Sequence, residues 1–368
     1  MKKRYSGKWI GFLERYRLGV YLGKIAQVSD KNLDVVLSFI NRQVEKLGTV
    51  LPLDRKSFFK YFPPDRTFIV LGKTGIESLF VMSRGRGKGL ATLRTRIYAQ
   101  DEEALEEAFQ YIKKAALTME AMYIRTAVFS YAEECSWLPK LGFEKAAVIP
   151  EIACLQGNLY DLIYYYYDLK NEYSFRVERE YVDEELYKTI EVEKKRDAKI
   201  VVRGLRLGDL DELEWALNHI NVFATLGSGF YEGLVWWDRD RIVKMVFEGR
   251  LYPLVAQDAS NGRIVGMASL EPLARRSIGD VLSNAYSLAI FVAAEYQGMG
   301  VGSKLMKELL LLAKRLHARM LTLEVFENNF PAIKLYEKYG FVKAGRLPIW
   351  IQKGYVWSLK MYKRLYSI

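Results

Sequence analysis

The sequence predicts an α/β fold made of two similar units, each a central, mostly antiparallel sheet flanked by helices. The chain has 368 residues, which is enough for about two domains. Strand-like apolar runs alternate with helix-period segments along most of its length. In addition, the run Leu-Thr-Leu-Glu-Val-Phe at 321–326 is matched by Ile-Arg-Thr-Ala-Val-Phe at 124–129, an offset of 321 − 124 = 197 residues. A repeat at this offset favours two copies of one architecture.

The order of elements supports the repeat, since each copy reads β-α-α-β-β-β-α-β-α-β-β. Both copies have a strand leading into a first helix, which spans about 209–220 in the second copy. The other predicted elements are the helices 54–61, 102–119, 238–248 and 301–317, the strand 287–293, and hairpin turns at 73–75 and Asn261-Gly262. We therefore expect four segments: a basic extension 1–23, a first unit 24–169, a charged linker 170–198 and a second unit 199–368.

Composition excludes several classes of protein. Half of the residues are hydrophobic and 27% are charged, which excludes general disorder. An apolar run long enough to span a membrane is missing, and the first residues do not resemble a secretory signal. The cysteines (Cys135 and Cys154) and histidines (His219 and His317) number two each. They are too few for a disulfide framework, a zinc site or a Ser-His-Asp triad. We expect a cytoplasmic protein with no metal site.

Charge is unevenly distributed along the chain. The net charge is +11, while residues 1–100 carry 20 Lys and Arg against 7 Asp and Glu, or +13. The segment 83–96 holds five basic residues and no acidic ones. Such a surface suits an anionic partner, and weak nucleic-acid binding is one interpretation. A solvated hairpin is the other.

One stretch carries the chemistry. The strand 287–293 leads into Gln297-Gly298-Met299-Gly300-Val301-Gly302, which opens a helix. Glycines let backbone N–H groups approach an anion, and a helix N-terminus adds partial positive charge. The spacing differs from both a P-loop and a dinucleotide fingerprint. The stretch therefore predicts a diphosphate cradle of another kind.

Further along, Leu323-Glu-Val325 is followed by Asn329-x-x-Ala332-x-x-Leu335-Tyr336-x-x-x-Gly340-Phe341. Together with the glycine loop, this pattern resembles the GCN5-related N-acetyltransferase (GNAT) superfamily over 199–365, and most of all the ribosomal-protein alanine acetyltransferases. The resemblance implies acetyl-CoA as cofactor and amine acetylation by direct transfer in a ternary complex. The implied cofactor contacts are Ile290, Phe291, Val292, Gln297, Gly298, Met299, Gly300, Val301, Gly302, Ser303, Asn329, Ala332 and Tyr336.

Two residues match the catalytic positions of that family. Glu324 matches its proposed base, and Tyr336 matches its proton donor to the leaving sulfur. Both roles suit the chemistry, since an attacking amine must be neutral and a leaving thiolate must gain a proton. Alternatives stay open for each residue. Tyr336 could be a core aromatic and Glu324 a structural carboxylate, while Asn329 could only cap the short helix before Pro331.

The same chemistry is missing from the first copy. At the offset of 197, Gly298, Gly300 and Gly302 fall on Asp101, Glu103 and Leu105. The positions of Glu324 and Tyr336 fall on Ala127 and, after a slip of one residue, on Leu138. The first unit therefore resembles a degenerate, silent acetyltransferase domain. A different class of function, a non-catalytic CoA-responsive or nucleic-acid-binding protein, is the alternative for the whole chain.

The acceptor is expected to lie against two segments, 221–238 and 345–354. Their aromatic residues supply contact area and their glycines supply mobility. Glu232 or Asp238 could hold a cationic amine, although Asp238 could instead cap the next helix. Peptide N-termini, lysine side chains and small amines are the acceptors that remain open.

Overall fold

The structure is a computed structural model that describes residues 24–46, 53–84, 92–173, 198–213, 239–273, 282, 284–351 and 354–366. The chain divides into two compact units. Most of residues 1–178 form unit 1, and most of residues 179–368 form unit 2. The segments 1–23, 85–91 and 221–238 lie outside the described residues, as does most of 170–198.

Unit 1 contains seven strands and four helices in its described part. They are β1 (Ile25–Gln27), α1 (Leu33–Lys46), α2 (Arg55–Tyr61), β2 (Thr67–Leu71), β3 (Ile76–Arg84), β4 (Thr92–Ala99), α3 (Glu102–Thr118), β5 (Tyr123–Phe129), α4 (Glu134–Trp137), β6 (Glu144–Leu155) and β7 (Asn158–Asp168). The strand order is β1-β2-β3-β4-β5-β7-β6. Strands β4 and β5 are parallel, and the other neighbouring strands in this unit are antiparallel.

The described part of unit 2 contains seven strands, three helices and residues 210–213 at the start of a further helix. They are β8 (Ile200–Gly204), α5 (Arg239–Phe247), β9 (Tyr252–Asp258), β10 (Ile264–Pro272), β11 (Ala285–Val292), α6 (Val301–Arg315), β12 (Met320–Phe326), α7 (Phe330–Lys338), β13 (Val342–Ile351) and β14 (Gly354–Arg364). The strand order is β8-β9-β10-β11-β12-β14-β13. It repeats the order of unit 1, and β11 and β12 form its parallel pair.

Most predicted elements lie within two residues of the observed ones. The predicted helix 301–317 corresponds to Val301–Arg315, and the strand 287–293 corresponds to Ala285–Val292. The Asn261-Gly262 turn joins β9 to β10, and Gly262 has a φ of +75°. Only the start of the helix predicted at 209–220 is described, with residues 210–213 helical.

Helices cover both faces of each sheet. In unit 2, α6 packs over a core that includes Leu305, Leu309 and Leu323. The opposite face carries a second core with Ile242 of α5 and Phe291 of β11. Unit 1 has the same two cores, one under α3 and one under α1 and α2. The mixed α/β fold predicted for the chain is confirmed.

The parallel pair diverges in both units. In unit 2 the pairing of β11 with β12 covers only 285–287 and 320–322, although both strands continue for several residues. In unit 1 the pairing of β4 with β5 covers only 92–94 and 123–125. Each sheet therefore opens into a gap at the carboxyl end of the parallel strands, and the candidate site lies at the gap of unit 2.

Candidate functional site

The loop between β11 and α6 spans residues 293–300, and side chains hold it in place. Tyr296 is buried, and its hydroxyl donates to Asp258 Oδ2 at 3.1 Å. Gln297 Nε2 donates to the carbonyl of Val292 at 3.0 Å. Gly298 and Gly300 have φ values of +82° and +77°, a conformation that favours glycine. The loop therefore leads directly into the N-terminus of α6.

The start of α6 presents a row of backbone donors. The N–H groups of residues 298–303 donate to no backbone carbonyl in the described part of the chain, whereas Lys304 N–H donates to Gly300 O. Gly300 is the N-cap and supplies no side-chain cap, and the first turn carries no acidic residue. Unpaired amides at a helix N-terminus favour an anion. The diphosphate cradle predicted from the sequence would use these amides.

The gap between β11 and β12 exposes further backbone groups. Ala293 N–H donates to Val265 O, and antiparallel pairing alternates the direction of successive N–H groups. The N–H groups of Ile290 and Val292 therefore point away from β10, toward the side where β12 diverges. Phe291 instead places its side chain in the core on the α5 face. An extended polar chain could pair with Ile290 and Val292 in this gap.

The turn between β12 and α7 contains polar atoms that lack partners. Asn329 caps α7, since its Oδ1 accepts a hydrogen bond from Ala332 N–H at 3.3 Å. Its Nδ2 is buried and unpaired, as are Oδ1 and Nδ2 of the neighbouring Asn328. Buried polar atoms without partners are uncommon, so this turn is suited to a polar ligand. The sequence drew attention to Asn329 and missed Asn328.

Tyr336 lies in α7 and is almost fully buried, at 6% exposure. Its ring packs edge-on against Phe341, with the ring centroids 5.9 Å apart. Burial raises the pKa of Tyr336 to about 12. Its hydroxyl makes no hydrogen bond to any described residue, so it is a free donor at neutral pH. Tyr336 is therefore both a core aromatic and a candidate proton donor.

Glu324 lies in β12 directly opposite Lys360 of β14. Its Oε2 is 2.6 Å from Lys360 Nζ, and its Oε1 accepts a hydrogen bond from Ser358 Oγ at 2.8 Å. The Glu324 and Lys360 side chains are 11% and 15% exposed. The sequence motifs did not identify Lys360. The candidate base is thus held in an ion pair.

Glu324 and Tyr336 approach the gap from opposite faces of the sheet. Leu323 and Val325 belong to the core under α6, and side chains alternate along a strand. Glu324 therefore faces the α5 side, whereas Tyr336 belongs to the α6 core together with Val292. A reacting group in the gap would meet a carboxylate on one face and a hydroxyl on the other.

In unit 1, side chains of the unit itself bond to the backbone donors in the region that corresponds to the candidate site. Asp101 caps α3, and its carboxylate accepts a hydrogen bond from Ala104 N–H. Ala99, at the end of β4, donates its N–H to Glu134 Oε1 at 3.3 Å. Ala127 lies opposite Tyr164 in the strand pair that corresponds to β12 and β14. Neither an anion cradle nor a carboxylate at the base position is present among these described residues.

The structure corrects the constant offset of 197 at the glycine loop. Strands β4 and β11 end at Ala99 and Val292, which are 193 residues apart, whereas the helix caps Asp101 and Gly300 are 199 apart. Only two residues join β4 to α3, so most of the eight-residue loop of unit 2 has no counterpart in unit 1. Gly302 corresponds to Glu103 rather than Leu105.

The remaining expectations concern acceptor, metal and membrane. Glu232 and Asp238 lie outside the described residues, as do 352–353 of the last hairpin. The described residues contain no cluster of His, Cys, Asp and Glu suited to a metal ion. Among the described helices, none has the length and apolar character needed to cross a membrane.

Known proteins are similar in sequence to unit 2. Residues 222–341 match the family model described as "Acetyltransferase (GNAT) family". A putative phosphinothricin acetyltransferase of Bacillus subtilis, YwnH, is 32% identical over 96 residues, which is 26% of this chain and 57% of that protein. A spermine/spermidine N(1)-acetyltransferase of the same organism is 41% identical over 58 residues, 16% of this chain and 38% of that one. The chain thus spans about half or less of these relatives.

A putative [ribosomal protein bS18]-alanine N-acetyltransferase of B. subtilis is 28% identical over 149 residues, covering 40% of this chain and 83% of that protein. Among solved structures, ribosomal-protein-alanine N-acetyltransferase from Brucella melitensis gives a TM-score of 0.39 at 24% identity, with 45% of this chain and 99% of that chain covered. YncA from Salmonella typhimurium, a putative acetyltransferase solved with its cofactor acetyl-CoA, gives 0.38 at 21% identity over 46% and 95%. GNAT acetyltransferases use acetyl-CoA, and residues 222–341 of this chain match the model of that family.

Proposed function

We propose that unit 2 transfers the acetyl group of acetyl-CoA to an amine by direct attack in a ternary complex. The observation that carries the proposal is the row of unpaired N–H groups at 298–303. They lie at the start of α6, whose first turn has no acidic residue. The buried, unpaired Nδ2 of Asn329 at the start of α7 adds a further donor. Together they provide donors for a diphosphate and for an amide-containing arm.

Acetyl-CoA supplies an activated thioester. In our proposal the amides of Gly298, Met299, Gly300, Val301, Gly302 and Ser303 hold the diphosphate. Ile290, Val292 and Asn329 pair with the arm, while Gln297 keeps the loop in place through its bond to Val292. Ala332 contributes space rather than a donor, because its N–H is already bonded to Asn329.

Tyr336 is the proposed donor to the leaving sulfur. A thiol has a pKa of about 8.5, so full proton transfer from a tyrosine at about 12 is uphill by about 3.5 pKa units, or about 5 kcal/mol. A hydrogen bond from the hydroxyl to the developing negative charge avoids that cost, since the donor is already in place. Tyr336 therefore acts first as a hydrogen-bond donor, and solvent completes the protonation.

Glu324 is the proposed base for the acceptor amine. Its carboxylate is ion-paired with Lys360, and its orientation is fixed by Ser358. A carboxylate at this position can take a proton from the amine, directly or through water. An acetylated cysteine is not required, because both Cys135 and Cys154 lie in unit 1.

Unit 1 is, in this proposal, a silent copy of the same fold. The shared strand order supports a common origin. The carboxylates of Asp101 and Glu134 take the backbone donors that a cofactor would need. The non-catalytic alternative for the whole chain has no support in the comparisons. We propose that the reaction takes place in the cytoplasm.

The test combines binding and turnover with the full chain. Titration calorimetry with acetyl-CoA is expected to give one site per chain, and release of free CoA is measured with alanine-starting peptides, lysine peptides and spermidine. Mass spectrometry without acceptor checks that no thioester-linked or ester-linked acetyl group accumulates. Two equal sites, or a covalent acetyl-enzyme that passes its acetyl group to the acceptor, would contradict the proposal.

A further inference from the structure

The ion pair between Glu324 and Lys360 stands at the position where the acceptor amine is expected. The two residues are paired directly across β12 and β14, and their charged atoms are 2.6 Å apart. Both side chains are mostly buried, at 11% and 15% exposure. Lys360 thus places an ammonium where an acceptor's own ammonium would meet Glu324.

The carboxylate is held at both oxygens. Ser358 is fully buried and donates to Oε1 at 2.8 Å, while Lys360 contacts Oε2. A cationic acceptor can use the charge of Glu324 only by displacing a lysine that is tethered to the neighbouring strand. Tethering gives that lysine a high effective concentration, so the charge of Glu324 is not available to collect cations.

The pair is not a requirement of the strand pairing. The corresponding positions of unit 1 are Ala127 and Tyr164, which form the same antiparallel register without charges. A buried ion pair is also weak evidence for stability, because desolvation opposes the attraction between its charges. A role in the reaction accounts better for its place in the gap.

We infer that Lys360 determines acceptor selectivity: by neutralising Glu324, it favours amines that arrive uncharged and disfavours polycations. The inference rests on the proposed transfer at Glu324. α-Amino groups have pKa values of about 7.7–8.0 and alkyl ammonium groups about 10.4. Near pH 8 about half of the former and less than about 1% of the latter are neutral. The favoured acceptors are therefore α-amines, such as peptide N-termini.

Acetyl transfer to such an amine is balanced without another reactant. The neutral nitrogen forms the new N–C bond as the thioester C–S bond breaks. The excess proton on nitrogen goes to Glu324, and the sulfur gains one from solvent while Tyr336 hydrogen-bonds it. Lys360 takes no part in these bond changes and acts as a specificity-determining residue.

The test compares the wild-type chain with Lys360→Met, Lys360→Gln and the charge-retaining control Lys360→Arg. For each, kcat/KM is measured with an alanine-starting peptide and with spermidine. The wild type and Lys360→Arg are expected to prefer the peptide, and the ratio is expected to fall by about tenfold or more in both uncharged variants, since an exposed Glu324 attracts cations. An unchanged ratio overturns the inference.

Binding provides a readout that does not depend on turnover. Titration of spermidine into the CoA-loaded protein is expected to show tighter binding to Lys360→Met than to wild type. Adding Glu324→Gln to Lys360→Met is expected to remove the gain. If the gain is absent, the inference fails, whatever the activity; if binding behaves as expected but the wild type acetylates neither amine, the proposed function fails instead. Circular dichroism confirms that each variant is folded, and Lys360→Gln replaces Lys360→Met if the latter is not.

Discussion

Gly300 and Asp101 occupy the same position in their units, the N-cap of the helix that follows the fourth strand. Gly300 leaves the amides beyond it open, whereas the Asp101 carboxylate accepts a hydrogen bond from Ala104 N–H. The two N-cap residues therefore differ in one respect. Gly300 leaves the amides of the first turn available to an anion, whereas Asp101 accepts a hydrogen bond from one of them.

Gly300→Asp is expected to abolish acetyl-CoA binding. A Cβ at Gly300 meets nothing within 4 Å, although its φ of +77° strains any side chain there. The new carboxylate competes with the diphosphate for the same amides and repels it. Aspartate and asparagine both tolerate the left-handed conformation. The measurement is the dissociation constant by calorimetry.

Gly300→Asn is the matched control, since asparagine has nearly the same shape as aspartate but no charge. It is expected to weaken acetyl-CoA binding far less than Gly300→Asp. The free energies of unfolding of the two variants are expected to differ by less than about 1 kcal/mol. Equal losses of affinity in the two variants would show that shape, rather than charge, matters at this position.

Tyr336→Phe is expected to lower kcat by about 10- to 1000-fold, because the leaving sulfur loses the hydrogen bond that stabilises its developing negative charge. The stability at neutral pH is expected to stay close to wild type, because the deleted hydroxyl makes no hydrogen bond to any described residue. Steady-state kinetics and thermal unfolding check the two halves of this prediction. An unchanged kcat would reduce Tyr336 to a packing role.

The same substitution has a signature at high pH. The pKa of Tyr336 is about 12 in the folded protein against 10.0 unperturbed, so the unfolded chain loses its proton first. The stabilisation is complete below pH 10 and is lost as pH rises from 10 to 12. A difference of about two pKa units corresponds to about 3 kcal/mol. Wild type should therefore lose more stability than Tyr336→Phe in urea titrations over this range.

The sequence predicted the order of elements because hydrophobic periodicity and turn residues are local signals. It also identified the glycine loop, Asn329 and Tyr336, whose types and spacing are unusual together. It could not place Lys360, because the register of β14 against β12 depends on the hairpin that precedes it. The period of two along β14 was visible, but no local signal fixed which residue faces Glu324.

The alignment of the glycine loop with unit 1 is a second feature that could not be predicted from the sequence. A constant offset hid the missing residues of unit 1, because the strand β4 and the helix α3 each matched their counterparts at different offsets. Insertions in loops cost little free energy, so loop length changes freely between copies. Only the observed ends of β4 and α3, at Ala99 and Glu102, fix the alignment.

Asn329→Asp is expected to keep α7 intact and to weaken acetyl-CoA binding. Aspartate retains the oxygen that accepts from Ala332 N–H, and a negative charge is favourable at a helix N-terminus. It removes the buried Nδ2, the donor without a partner. The expected loss in affinity is about 1–3 kcal/mol, the range for a hydrogen bond to a buried group.

The ligand-dependent rise in melting temperature separates these two roles of Asn329. It should shrink in Asn329→Asp while the melting temperature without ligand stays near wild type. Asn329→Ala, which lacks both the cap and the donor, should lower both. Full retention of the ligand-dependent rise in Asn329→Asp would assign Asn329 to capping alone.

Glu134→Ala is expected to destabilise unit 1 without creating a second cofactor site. The substitution leaves the N–H of Ala99 without the acceptor that it has at 3.3 Å, which costs about 1–3 kcal/mol when the group stays buried. Glu134→Gln keeps an acceptor and should cost less. Asp101 still occupies the helix start, and the loop equivalent to 293–300 is still missing, so calorimetry should continue to give one acetyl-CoA site per chain. Urea unfolding measures the loss of stability. A second site in Glu134→Ala would mean that one carboxylate alone keeps unit 1 silent, whereas equal stability of the Ala and Gln variants would mean that the bond to Ala99 contributes nothing.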